Sequence, residues 1–387
     1  MSGDLRFIGR NIRFFRRQRG WTIAELARQA TVGEVPLGRM ERGENAPSAA
    51  ALYRLSRALG VSVEMLFSET DQARLMRQVE ETGDPFICTL NNSGGPPLPR
   101  KIRIMAADLI NAFSSLEDIC RAPKHARVPL LIPFSPEPAG MEVLARDARR
   151  YMGIENGVVF DYFELFENTG LRVLVVPMAK TTESFSYFDR RNQNAFFFLN
   201  SRLNSERQLF KLIYEFGRVL ILTAALQQGG DPFPAETAAG QTEPESPHHD
   251  PGKPFTAHRA ARRFAACFLM PAPAVRETVA QLGISPGQWS YELLLRLKHR
   301  FGISAQTFLY RLEELALIKQ ELKDDFDRRI KAFYQESDFC EPDCSRRLLT
   351  PNGRLWDLAA AARQAAPGNP EIEEIVAVMT QYEVPKI

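Results

Sequence analysis

Tyr214, Glu215 and Arg218 lie within the run SERQLFKLIYEFGRVLILT, residues 205–223, at a spacing that would carry hydrolytic chemistry with other residue types. Two histidines four residues apart on one helix face can hold Zn²⁺ between their imidazoles, while a glutamate beside the first acts as base on the metal-bound water. The same frame here reads Tyr-Glu-Phe-Gly-Arg, with a phenol and a guanidinium in the imidazole positions. A phenol is a weak ligand, and a guanidinium is permanently cationic with no lone pair to give. No zinc and no other cofactor is expected, which leaves Glu215 a base without a water to activate.

The element that must position these residues is legible. Ser205 can cap a helix, with Gln208 returning a bond to the cap. Leu209, Ile213, Phe216 and Leu220 then recur at steps of four, three and four and form one apolar stripe for burial. A core helix is predicted.

Around this helix, residues 141–318 resemble the ImmA/IrrE metallopeptidase family. MEVLARDARRYMGI (141–154) looks like its opening helix, FDYFELFENTGLRVLVV (160–176) like its helix-then-strand unit, and NAFFFLN (194–200) like the strand before the protease helix. The most specific match is ARRFAACFLMP (261–271), followed by LLRLKHRFGISAQTFLYRLEELALI (294–318). The resemblance implies a zincin-like helical body with a short sheet, and a third zinc ligand from a glutamate just upstream of the FA-x-x-L-M-P run. His258, Arg259 and Ala260 stand there instead. Of the family's catalytic set only Glu215 remains, so no peptidase activity is expected. Tyr214, Glu215, Arg218 and His258 are instead the lining of a candidate pocket for a small anionic effector, since a guanidinium and a phenol suit a carboxylate or phosphate. Arg218 can equally do no more than pair with Glu215.

The chain of 387 residues is long enough for two or three domains, and 44% apolar content supports ordinary cores. Five cysteines, at 88, 120, 267, 340 and 344, form no disulfide framework and fit a reducing compartment. No run reaches about 18 uninterrupted apolar residues, so neither a signal peptide nor a membrane span is read and the cytoplasm is the expected location, with nucleoid association when bound to DNA. The net charge of +2 is unevenly placed: residues 1–60 hold eleven Arg against Asp4, Glu25, Glu34, Glu41 and Glu44, about +6, leaving about −4 for the rest. A basic head on a mildly acidic body is expected where one end meets nucleic acid.

That head reads as five short helices: residues 8–19, with Phe7, Ile12 and Phe15 as core candidates; 23–30 behind an N-cap at Thr22; 34–42, ended by Gly43; a fourth from Pro47-Ser48; and a fifth ending near Leu66-Phe67. Pro36 falls in the first turn of the third, where its missing N–H does little harm. The runs WTIAELA, LGRMERGENAPS and LSRALGVSVEMLF are similar to the Cro/C1-type (XRE) helix-turn-helix family over about 60 residues. The resemblance implies a lambda-repressor-like fold, double-stranded DNA as partner and a transcriptional role. In that fold the second helix of the motif enters the major groove. Mapped onto this sequence it presents Gly33, Glu34, Val35 and Arg39 to base edges, with Arg10, Arg17, Thr22, Arg42 and Asn45 as phosphate contacts.

The expected organisation is a DNA-binding domain at 1–70, a linker and possible dimerisation helix at 71–140, the pseudo-peptidase domain at 141–318 with a loop insertion at 227–255, and a helical extension at 319–387. The overall class is mainly α with a small β-sheet, α+β. The apolar stripe of residues 101–122 (Ile104, Met105, Leu109, Ala112, Phe113, Leu116, Ile119) reads either as a homodimer contact or as an added layer on the body. His248 and His249 in the inserted loop, and Cys340 and Cys344 in CEPDC, are weak metal candidates. Residues 294–318 can also be read as a second helix-turn-helix, though packing on the body is favoured. Beside the regulator reading stand an active metallopeptidase with atypical ligands, and an interaction protein of phage or toxin–antitoxin type.

Overall fold

A computed structural model describes residues 6–18, 21–59, 61, 63, 66, 86–89, 97–228, 232–233, 254–337, 340–345 and 349–386; within the first helix the side chains of 6, 7, 10, 14, 17 and 18 lie outside this description, as does that of 228. Contacts divide the chain into two units, Met1–Asp84 and Pro85–Ile387. The side chains of Phe7, Arg10 and Arg17 therefore lie outside the description, and so do His248, His249 and most of the inserted loop.

The first unit carries four described helices: α1 (Arg6–Gln18), α2 (Ile23–Gln29), α3 (Glu34–Arg42) and α4 (Ala49–Leu59). Ile8, Ile12, Phe15, Leu26, Ala27, Leu37, Leu52, Leu55, Leu59 and Leu66 converge in its core. Thr22 and Glu25 form a reciprocal capping box at the start of α2, and Gly43 ends α3 in the left-handed region at φ 73°. Gly9 admits the close approach of α1 to α3, since a Cβ there would fall 2.0 Å from the Met40 carbonyl oxygen. Arg16 and Glu41 close the same contact with a buried bidentate ion pair at 2.5 and 2.8 Å. Of the expected fifth helix only residues 61, 63 and 66 are described; Leu66 is buried, and its carbonyl accepts from the Asn11 side chain at 3.1 Å.

The second unit is a three-layer structure. Its sheet runs in the order β1 (Phe86–Cys88), β3 (Ser184–Asp189), β4 (Asn194–Asn200), β2 (Arg172–Val176), with β2 and β4 parallel and the other pairs antiparallel. β2 and β4 are buried along their whole length, which explains their unbroken apolar runs. Val173, Val175, Ala195, Phe197 and Leu199 face one core, while Leu174, Val176, Phe196 and Phe198 face the other. The period of two thus feeds two layers from one strand.

The first face is covered by α6 (Pro138–Tyr151), α8 (Ser205–Gln228) and α9 (Ala257–Leu269), backed by α11 (Tyr291–Phe301), α12 (Ala305–Glu314) and α13 (Gln320–Glu336). Leu209, Ile213, Phe216 and Leu220 are all buried on α8, as their spacing predicts. Gly217 lets α8 and α9 cross closely, because a Cβ there would meet Phe264 Cδ1 at 2.7 Å. Gly302, at φ 69°, turns α11 into α12, and both helices pack into this core. α7 (Tyr162–Asn168) leads into β2, and α10 (Ala272–Gln281) follows α9.

The opposite face is covered by α5 (Arg100–Ile119), α14 (Gly353–Ala365) and α15 (Pro370–Gln381). The apolar stripe of α5 is thus a layer within its own unit: Met105, Leu109, Ala112, Phe113 and Leu116 are buried there. Ile104, read as part of the stripe, points outward and is 47% exposed. The boundaries expected at 140 and 318 cut through these layers, since α5 precedes and α14 and α15 follow the resemblance that defined the body. No helix among the described residues is long and apolar enough to cross a membrane.

Candidate functional site

In the first unit α3 turns Leu37, Gly38 and Glu41 inward, leaving Glu34, Val35 and Arg39 on the exposed side. Val35 is 66% exposed, a large apolar side chain standing in water on the face read as base-reading. Gly33 caps α3 with extended backbone and no side-chain bond. The five residues read as phosphate contacts fall differently. The Thr22 hydroxyl accepts from the Glu25 amide and donates to the Glu25 carboxylate, and the Thr22 amide donates to that carboxylate at 2.6 Å. Its donors are committed to the cap. Arg42 is paired with Glu44 at 2.7 Å on the surface, which holds the Glu44 carboxyl below its usual range. Asn45 is exposed. Arg10 and Arg17 have no described side chain. Arg28, Arg54 and Arg57 are exposed cations that the mapping passed over, although their positions off the apolar stripes were readable.

In the second unit the altered hydrolase frame lies on α8. Glu215 is fully buried, and its carboxylate accepts from Ser184 Oγ and Ser186 Oγ, both at 2.8 Å, and from Thr89 Oγ1 at 3.4 Å. Three hydroxyls surround the group that elsewhere would work on water. Arg218, 9% exposed, lies one turn on, with Nη1 4.0 Å from Glu215 Oε1 and Nη2 donating to the Thr89 carbonyl at 2.8 Å. Its guanidinium also lies 5.8 Å from the centre of the Tyr214 ring.

Tyr214 Oη and His258 Nδ1 are 2.6 Å apart, with their rings edge to face. His258 begins α9 behind the Thr256 cap, so the place where a third ligand was sought does face the first. The two positions are joined directly by a hydrogen bond. Burial, then the neighbouring Arg262, Arg218, Lys211 and Arg259 charges, push the His258 imidazole down to about 3, so it stays neutral and its ring nitrogen can accept the phenolic O–H as a hydrogen bond. Lys211 lies over the Tyr214 ring at 5.4 Å and is paired with Glu183 at 2.6 Å.

This donor set does not fit a zinc ion. Two of the three ligand positions bond to one another, and the remaining one carries a guanidinium that is already a cation. Among the described residues no three of His, Cys, Asp and Glu are grouped to share an ion. Cys340 and Cys344 are exposed, while Glu341 and Pro342 between them are buried; the Glu341 carboxylate accepts from the Ala305 amide at 2.6 Å and pairs with Lys298 at 3.2 Å. That segment fastens α11 to α12.

Thr89, Ser184 and Ser186 were missed by sequence reasoning. They carry no motif, and only the pairing of β1 with β3 together with the packing of α8 on β3 brings Thr89 to Glu215 across 126 residues.

Two family models match the chain: helix-turn-helix over residues 12–66, and an IrrE N-terminal-like domain over residues 166–313. Among curated proteins the chain is similar to the HTH-type transcriptional regulator SutR of Escherichia coli, 32% identical over 73 residues, which is 19% of this chain and 41% of that protein. It is 31% identical over 88 residues to the HTH-type transcriptional regulator SinR of Bacillus licheniformis, 22% of this chain and 79% of SinR. It is 36% identical over 70 residues to the uncharacterized HTH-type transcriptional regulator y4dJ of Sinorhizobium fredii, 18% of this chain and 91% of y4dJ.

Proposed function

Because this chain belongs to the helix-turn-helix family of transcriptional regulators, we propose that it binds a specific double-stranded operator through α3 and regulates transcription, with residues 85–387 as a sensory or oligomerising body that has lost peptidase chemistry. The observation that carries the DNA reading is the outward face of α3, where Glu34, Val35 and Arg39 stand exposed on a helix fixed from behind by Leu37 and the Arg16–Glu41 pair. Arg39 has the reach and fork geometry for guanine O6 and N7, Glu34 can accept from cytosine N4, and Val35 can meet a thymine methyl. Arg42 and Asn45 position the head on phosphates. Arg42 must exchange Glu44 for phosphate, which adds a salt-sensitive step.

The loss of peptidase chemistry is supported by the Tyr214–His258 bond and by Arg218 in a ligand position. The cations around His258 support a small carboxylate or phosphate as effector, bound beside Arg218. A homodimer follows from operator reading by so small a head, which covers one half-site.

The test is selection of bound fragments from genomic DNA with the full-length protein, with metal content measured on the same preparation. A short inverted repeat without stoichiometric metal is expected. Unselective binding together with one metal per chain would overturn both halves of the proposal. The effector is tested separately by calorimetric titration of wild type and Arg218→Ala with phosphate and citrate; equal binding by both removes Arg218 from that role.

A further inference from the structure

β1 is short to be held as it is. It has three residues, lies at the sheet edge and pairs on one side with β3, and a ladder of that length is marginal alone. Its far end is gripped by the helix that carries the altered hydrolase frame. After Cys88, the Thr89 amide donates to the Ser186 carbonyl at 3.0 Å and extends the β3 pairing by one residue. The Thr89 carbonyl then accepts from Arg218 Nη2 at 2.8 Å, and its hydroxyl lies 3.1 Å from Ser186 Oγ and 3.4 Å from Glu215 Oε2. At the other end Phe86 meets Phe196 edge to face, at 5.8 Å between ring centres. An extended segment added to a sheet edge, with main-chain bonds on one side and side-chain recognition at its end, is how folded proteins bind peptides by strand addition.

We infer that Glu215 and Arg218 serve in this chain to hold residues 86–89 as an in-chain peptide between β3 and α8, fastening the start of the second unit. Arg218 supplies a charge-assisted bond to a main-chain carbonyl, which any residue at position 89 would offer, and Glu215 orients the Ser184, Ser186 and Thr89 hydroxyls around it. The contact sits four residues inside the boundary with the DNA-binding unit. The grip needs no ligand, so it stands or falls apart from the effector reading.

The test is hydrogen exchange read by mass spectrometry on the full-length chain, comparing wild type with Arg218→Met and with Glu215→Gln/Arg218→Met. The single variant should exchange the amides of residues 87–89 about tenfold or more faster, the scale of one lost charge-assisted bond, with β4 and α8 at wild-type rates. Wild-type protection of 87–89 in that variant overturns the inference. Should Arg218→Met lose protection throughout β4 and α8, the double variant Glu215→Gln/Arg218→Met, which also removes the buried carboxylate left without its cation, decides: faster exchange confined to 87–89 supports the grip, and unchanged exchange there overturns it.

Discussion

Arg39 and His258 show how much one side chain can carry. Arg39 is exposed on α3, and nothing in the first unit's core depends on it. Arg39→Ala should therefore leave the unit folded and relax preference at one base pair, with about 1–3 kcal/mol of discrimination lost there. Comparing the sites selected by the two proteins measures this, and a uniform loss at every position would place Arg39 on phosphate instead. His258 is the opposite case, a neutral imidazole among cations. Its folded value of about 3 lies below the unfolded value near 6.5, so between those limits the unfolded chain binds a proton that the folded chain refuses. Stability should fall as pH falls through that window, by at most about 1.4 kcal/mol per unit. Denaturant unfolding of the second unit's signals at pH 7 and pH 5 should show a larger loss for wild type than for His258→Asn. Equal losses would assign the acid sensitivity to other groups.

At the scale of elements, α8 is defined by two surfaces with different origins. Its stripe was readable because burial repeats with the helical period, and the same holds for the cores of α1 to α4. Its other side was not readable, since the Ser184, Ser186 and Thr89 hydroxyls reach Glu215 through the pairing of three strands. Sequence placed Tyr214, Glu215, Arg218 and His258 in one candidate pocket. In the structure Tyr214 bonds to His258 while Glu215 bonds to the strands, because α8 crosses α9 on one side and lies against β3 on the other. The crossing depends on Gly217. Gly217→Ala should push Phe264 aside and cost about 1–3 kcal/mol, read as a fall in the second unit's melting temperature with the first unit's transition unchanged. An unchanged melting temperature would show that the Phe264 ring yields freely.

At the scale of the molecule, the described residues between 319 and 386 are structural to the sheet. α13 joins the core on one face, while α14 and α15 cover Leu174, Val176, Phe196 and Phe198 on the other. Asn352, fully buried at φ 60°, accepts from the Val175 amide at 2.8 Å and donates to the Val175 carbonyl at 3.0 Å, so it satisfies the open edge of β2. Removal of residues 352–387 should leave an apolar sheet face and an unpaired strand edge. A chain ending at residue 351 is expected in the insoluble fraction, with its DNA-binding head still protected from exchange. A soluble second unit with protected β2 and β4 would show that α5 alone suffices as cover.

What the sequence determined by itself was local. The helical head, its caps at Thr22 and Gly43, the buried stripe of α8 and the loss of imidazoles at 214 and 218 are properties of residue type and short spacing. These are set by backbone geometry within a few residues. What the tertiary structure decided was which distant groups meet: α5 as a layer under α14 and α15, Arg16 against Glu41, and Thr89 held by Arg218 and Glu215. No short-range pattern encodes these. They follow from strand register and helix crossing, where one chain segment becomes another's surroundings and a residue's role is set by what packs against it.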